Sequence, residues 1–290
     1  MREIPGLPTT PPPVMNEQAS LMRLLGDDDP SIWNAVREKI ISLGCDTLVW
    51  LKPCRLSPDA VLRRHACSII RHFERDAADS RFMAYCLQDG SKIDLERAAF
   101  MMAQTQYPEI NTIAYAALLD DLASELREWV ASRDQGAGFF ASINKFFFEE
   151  KGFIGNLENY YDPENCFLSK VIDRRTGNPT SMCVVYFLLL RRLGYSVNLI
   201  GLPGHSVCSF GFPGEELYID VFNLGKVLSR QDCIEHLIRC KHEVRDEYLA
   251  PMSMRRALAR MCGNLEQIYI QLHQEANASR LTRHVYALTR

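Results

Sequence analysis

The 290-residue sequence has little net charge, no paired-cysteine motif and no long apolar run. A formal charge of −3 gives no electrostatic footing for nucleic acid or an anionic membrane, so neither is expected as a partner. The basic pairs Arg63-Arg64, Arg174-Arg175, Arg191-Arg192 and Arg255-Arg256 are flanked by apolar helical residues and read as solvated or ion-paired helix edges. The longest apolar run, "MCVVYFLLL", has nine residues, too few to span a bilayer. "MREIPGLPTTPPPVMNEQ" lacks the apolar region of a secretion signal; its prolines read as an extended arm over residues 1–16. Ten cysteines occur without a C-x-x-C pair, which excludes a zinc ribbon and points to buried thiols in a reducing cytoplasm. Cys233 and Cys240 with His236 and His242 come nearest to a metal cluster, but their spacing matches no zinc motif, so no metal or cofactor is expected.

What the sequence does contain is ordinary globular composition, 47% hydrophobic and 24% charged, in an α+β order. Residues 17–131 read as helical throughout. "DDDPSIWNAVREKIISLG" has Pro30 in a first turn and Gly44 as a stop; "LSPDAVLRRHACSIIRHF" repeats the plan, with Val61, Leu62, Ala66, Ile69 and Ile70 on one stripe. Two such helices, to about residue 90, resemble a HEAT-like array. Two more follow, with stripes at Leu95, Ala98, Ala99 and Met102, then at Ala114, Leu118, Leu122, Leu126 and Trp129. "RDQGAGF" marks a hinge into a core over 132–250, and helices over 251–290 complete the chain. Within the core, a helix over about 165–173 precedes "RTGNPTSMCVVYFLLLRRLG", and "SVNLIGL", "HSVCSF" and "ELYIDVF" read as strands. Ser229 is the expected N-cap of a helix over "LSRQDCIEHLIRCKH".

A Cys, a His and an Asp in this order suggest a cysteine-nucleophile triad. Asn178 is a favoured N-cap and Pro179 suits the first helical position, which puts Thr180 and Ser181 in the first turn and Cys183 one turn deeper. From Met182 to Leu190 the helix is apolar all round and must be buried, where a thiol's pKa rises. If Phe210 pairs with Glu215 across "GFPG", an antiparallel register places His205 directly opposite Asp220, where the carboxylate could orient the imidazole.

The stretches "GFIGNLENYYDPENCFLSKVIDRRTGNPTSMCVVY", "RRLGYSVNLIGLPGH" and "LYIDVFNLGKVLSRQDC" resemble the transglutaminase-like core in the version carried by bacterial SirB-type proteins. The resemblance covers about residues 90–270. It implies a papain-like topology, with a central nucleophile-bearing helix on an antiparallel sheet that carries His205 and Asp220. It also implies that Pro179 stands at the cysteine position, whether one aligns Gly177-Asn178-Pro179 or counts back from "RRLG". The SirB-type pattern keeps "GxPxS" here, so Ser181 is the retained polar residue; Val221 follows Asp220 where the family prefers proline. "MSMRRALARMCGNLEQIYIQL" resembles the first tetratricopeptide-like helix of such proteins.

Three readings follow. The preferred one is a non-catalytic module that binds a protein or peptide in the old cleft. The second is a hydrolase or acyltransferase using Ser181, or less readily Cys183, with His205 as base and Asp220 as orienter. The third gives the helical layers the working surface. Asn178 and Asn165 are candidate binding residues, Asn156, Asp162 and Asn165 candidate loop caps, and Tyr160 and Tyr161 are expected either to line or roof the cleft or simply to pack.

Overall fold

The computed structural model describes residues 17–131, 138–212 and 215–290. The expected arm at 1–16 and most of the expected hinge at "RDQGAGF" lie outside them. The chain divides into two compact units, residues 1–77 and 78–290.

In the first unit α1 (Glu17–Leu24), α2 (Pro30–Leu43), the single turn α3 (Leu48–Leu51) and the beginning of α4 (Ala60–Cys86) enclose a small core of Leu25, Ile40, Leu51, Ala66, Ile69 and Ile70. Asp29 caps α2 by accepting from Ser31 N, Pro30 takes the first helical position, and Gly44 closes the helix at φ +85°. Pro58 precedes α4 rather than opening it; the Asp59 carboxylate caps that helix by accepting from Val61 N and Leu62 N. Among the expected α4 stripe, Ala66, Ile69 and Ile70 are buried and Val61 and Leu62 half-buried.

The second unit begins within α4 and continues with α5 (Leu95–Gln104), α6 (Thr112–Ala131) and α7 (Phe139–Asn144), which runs into a π-helical turn at Lys145–Glu150. The expected α5 stripe is buried entire. The α6 stripe is not: Ala114 and Leu118 are exposed, and the buried face carries Leu119, Leu122, Ala123, Leu126 and Val130. The physical reason is helical pitch. A strict i+4 series advances about 40° beyond a full turn at each step and walks off the core face, whereas mixed 3 and 4 spacing stays on it.

Then come β1 (Ile154–Gly155), α8 (Leu168–Arg174), β2 (Thr176–Gly177), α9 (Pro179–Arg192), β3 (Asn198–Ile200), β4 (Val207–Phe212), β5 (Glu215–Asp220), β6 (Lys226–Leu228) and α10 (Arg230–Arg239), closed by α11 (Met254–Gln271) and α12 (Glu275–Thr289). β3 to β6 form one antiparallel sheet in sequence order, and β1 pairs with β2 in parallel. α9 packs on β3 and β4. It is buried from Pro179 to Leu190, as a helix apolar on every side must be.

At least one member of each basic pair is engaged by protein groups, Arg64 by Asp28, but the buried Nη1 of Arg175 has no hydrogen-bond partner among the described residues. Arg174 meets Asp162 and Glu164, Arg192 meets Glu96 and Asp120, and Arg255 donates to the carbonyls of Ala287 and Leu288 at the end of α12. No helix among the described residues is long and apolar enough to cross a membrane.

Candidate functional site

The start of α9 is built by a reciprocal cap. Asn178 Oδ1 accepts from Ser181 N at 2.9 Å, and Ser181 Oγ accepts from Asn178 N at 3.1 Å. The Ser181 hydroxyl donates in turn to the Asn165 carbonyl at 2.6 Å and is 1% exposed. Gly177 has to be glycine here, because a Cβ would lie 2.6 Å from Ser181 Oγ and 3.1 Å from Val171 Cγ1. The Ser181 hydroxyl therefore ties the helix start to the preceding loop.

That loop is held by its own amides. Asn165 is fully buried; its Nδ2 donates to the carbonyls of Asn159 and Tyr160, and its Oδ1 accepts from Asn156 Nδ2. Asn156 Oδ1 accepts from Asn159 N, and Asp162 caps the turn at Pro163–Cys166. Tyr160 and Tyr161 stand at the loop's crest, half-exposed, with rings edge-on at 5.2 Å.

Cys183 lies in the core. Its thiol donates to the Ser206 carbonyl at 3.2 Å, and burial first, then Cys208, pushes its pKa well above the ordinary thiol value. Cys166 is likewise pushed by burial to about 12, against a hydrogen bond from Asn178 Nδ2. Neither supplies a thiolate near neutral pH.

His205 and Asp220 do meet, with Nε2 2.8 Å from Oδ1 and side chains 12% and 8% exposed, although the ring N–H is not well aligned with the oxygen. They do not meet by the expected register. Phe210 pairs with Leu217, because β4 continues through Gly211 to Phe212 and β5 begins at Glu215. The pairing is displaced by two residues, which preserves the face each side chain occupies but leaves His205 outside the strand. A turn presents it instead: His205 N donates to the Leu202 carbonyl, and Gly204 takes φ +73°. Asn223 completes the pair, donating Nδ2 to Asp220 Oδ2 at 2.7 Å and its backbone N–H to Oδ1.

Burial alone would raise the Asp220 pKa, but His205 and then Asn223 outweigh it and hold the carboxyl below its usual range. A depressed folded-state value means stabilisation that is complete above the unfolded pKa, about 3.9, and lost as pH falls through the folded one. Asp220→Asn is therefore expected to lower the melting temperature at pH 7, with the gap to the parent closing as the pH is taken from about 5 to 2 in a calorimetric series. A gap constant with pH would contradict this.

Pro179, Thr180 and Asn178 border a cleft of about 290 Å³ with Tyr160, Tyr161 and His205; Ser181 and Cys183 do not. The fourth wall comes from α11 as Arg260, Asn264, Gln267 and Ile268, residues absent from the sequence-based candidates. Their 4, 3 and 1 spacing puts them on one helical face, a polar stripe legible in "RMCGNLEQI". Arg260 Nε donates to Ser206 Oγ at 3.0 Å, and Nη2 donates to the carbonyls of Leu202 and His205. Ser206 Oγ is 2.9 Å from Thr180 Oγ1, which also accepts from Asn264 Nδ2. One network thus joins the α9 start, the His205 turn and α11. His205 also borders a second cavity, about 600 Å³, with Asp220, Asn223, Lys226 and His236. Among the described residues no three His, Cys, Asp or Glu side chains are grouped to hold a metal ion; Cys240 Sγ lies 3.7 Å from His236 Nε2.

No solved structure matches this chain significantly. A UPF0162 protein of Xylella fastidiosa (strain 9a5c) is 29% identical over 206 residues, 69% of this chain and 73% of that protein. Its counterpart in Vibrio cholerae is 31% identical over 150 residues, 50% of this chain and 54% of that protein. Mouse F-box only protein 21 is 33% identical over 132 residues, 43% of this chain but 21% of that protein. Residues 113–263, just over half of the chain, match the family model described as transglutaminase-like superfamily. They hold α9, the four-stranded sheet, the His205–Asp220 pair and most of the cleft, and the chain belongs to that superfamily.

Proposed function

We propose that this chain is a SirB-type, non-catalytic member of its superfamily, acting in the cytoplasm as a module that binds a protein or peptide in the former catalytic cleft. One observation carries the reading. The first-turn residues of α9 that border the cleft beside His205 are Pro179, which has no nucleophile, and Thr180, whose hydroxyl is engaged by Ser206 Oγ and Asn264 Nδ2, while the nearby Ser181 hydroxyl is donated to a backbone carbonyl. The His205–Asp220 pair then serves as a fixed recognition wall. The match to a stretch that makes up only 21% of a much longer F-box protein favours a module that works inside different chains. In this reading the first unit's helices are HEAT-like, and α11 with α12 is a tetratricopeptide-like pair whose first helix lines the cleft.

The test is covalent labelling of the full chain with a fluorophosphonate and with iodoacetamide, mapped by peptide mass spectrometry. Ser181 and Cys183 are expected to stay unmodified in the folded protein. An adduct on either that disappears in His205→Ala would establish the hydrolase or acyltransferase reading instead.

A further inference from the structure

We propose that the cleft beside His205 receives the C-terminal carboxylate of a peptide, with Arg260 as the recognising cation; this deepens the non-catalytic binding reading and rests on it. Arg260 is largely buried, and burial pulls its pKa down. Its contacts are neutral: two carbonyl oxygens and the Ser206 hydroxyl. Among the described residues it forms no ion pair, and its Nη1 donates to no protein acceptor. Arg174 and Arg192 in the same unit each face two carboxylates. A desolvated guanidinium without a counter-charge is costly, and that cost is relieved when an anion enters the cleft it borders.

The rest of the lining agrees. Among the described residues it contains no Asp or Glu. Asn264, Gln267 and His205 offer neutral polar groups, and the Asp220 carboxylate is already engaged by His205 and Asn223. The α9 N-terminus borders the same space, and its dipole favours negative charge there. Tyr160, Tyr161 and Ile268 supply apolar walls, suited to the last side chain of a peptide. A volume of about 290 Å³ is at the lower limit of small-molecule sites, enough for a terminal residue rather than a long internal segment. A planar carboxylate matches the guanidinium fork, and terminal-carboxylate capture is a known mode of peptide recognition.

The experiment titrates the full chain with N-acetyl-Ala-Ala-Leu, as free acid and as C-terminal amide, by calorimetry. The acid is expected to bind at least about tenfold more tightly, equivalent to about 1.4 kcal/mol. Arg260→Gln, with folding checked by circular dichroism, should bring the two within about twofold. Because Arg260 also braces the His205 turn, Tyr161→Glu at the half-exposed rim is the second variant. It should weaken both ligands through the altered wall, but the acid about tenfold more than the amide, because the new carboxylate repels only the acid. Equal binding of acid and amide, binding of neither, or inorganic phosphate binding more tightly than the acid would each overturn the proposal. A His205-dependent adduct on Ser181 or Cys183 would overturn the non-catalytic reading while leaving the acid-to-amide ratio intact, so the two failures are distinct.

Discussion

Replacing Asn165 by Ala is expected to lower the melting temperature of the 78–290 unit by about 6–12 °C, for a loss of about 3 kcal/mol. The side chain is fully buried and uses both ends of its amide. Nδ2 donates to the Asn159 and Tyr160 carbonyls, and Oδ1 accepts from Asn156 Nδ2. Truncation leaves two acceptors and one donor without their partner, and the large cost comes from these orphaned groups rather than from lost bonds alone. The same residue's backbone carbonyl accepts from the Ser181 hydroxyl and from Asn178 N, so loosening the loop also loosens the α9 start. Asn165→Asp keeps the size but turns an anion toward two carbonyl oxygens, and at pH 7 it should be at least as damaging. Differential scanning calorimetry on both variants checks this. A fall below about 2 °C in Asn165→Ala would show that the loop is held by something else.

Pro179→Cys is expected to create a reactive thiol where the native chain has none. The position borders the cleft with His205 and sits at the first residue of α9, and both a helix N-terminus and a neighbouring imidazole lower a thiol's pKa, typically into the range of about 3.5–7.5. At pH 6 the variant should therefore be alkylated by iodoacetamide about tenfold or more faster than a free cysteine, the adduct mapping to residue 179. Adding His205→Ala should remove most of that advantage. Cys183 should remain unlabelled in both proteins, since burial holds its thiol protonated. A thiol at 179 that reacts no faster than free cysteine would show that the frame no longer activates a nucleophile there.

The α9 start was the most legible part of the molecule. Asn178, Pro179 and Ser181 act as cap, first residue and third residue because capping is governed by a few consecutive residues and their hydrogen-bonding groups. The same locality made the Pro30 start, the Gly44 stop and the Ser229 cap readable. Cys183 could be assigned to the core because an all-apolar helix can only be buried. The amphipathic stripe of α6 was misjudged where an i+4 series was followed without correcting for pitch, and the short β6 and the π-turn over "KFFFEE" carried no periodic signal.

The cleft itself was beyond the sequence. That His205 and Asp220 should pair could be argued from spacing, yet the geometry that pairs them is a turn closed by Leu202 and Gly204, not the hairpin register. Arg260, Asn264 and Gln267 lie more than 50 residues from His205 along the chain, and nothing local to α11 indicates which helix end its polar stripe will meet. Local sequence determined the caps, the buried helix and the absence of a nucleophile at position 179. Those depend on short-range sterics and hydrogen bonds. Only the tertiary structure decided that the Ser181 hydroxyl is committed to a carbonyl and that Arg260, without a carboxylate partner among the described residues, borders the cleft beside Pro179 and His205. Both depend on which distant backbone groups the packed core brings within hydrogen-bond reach.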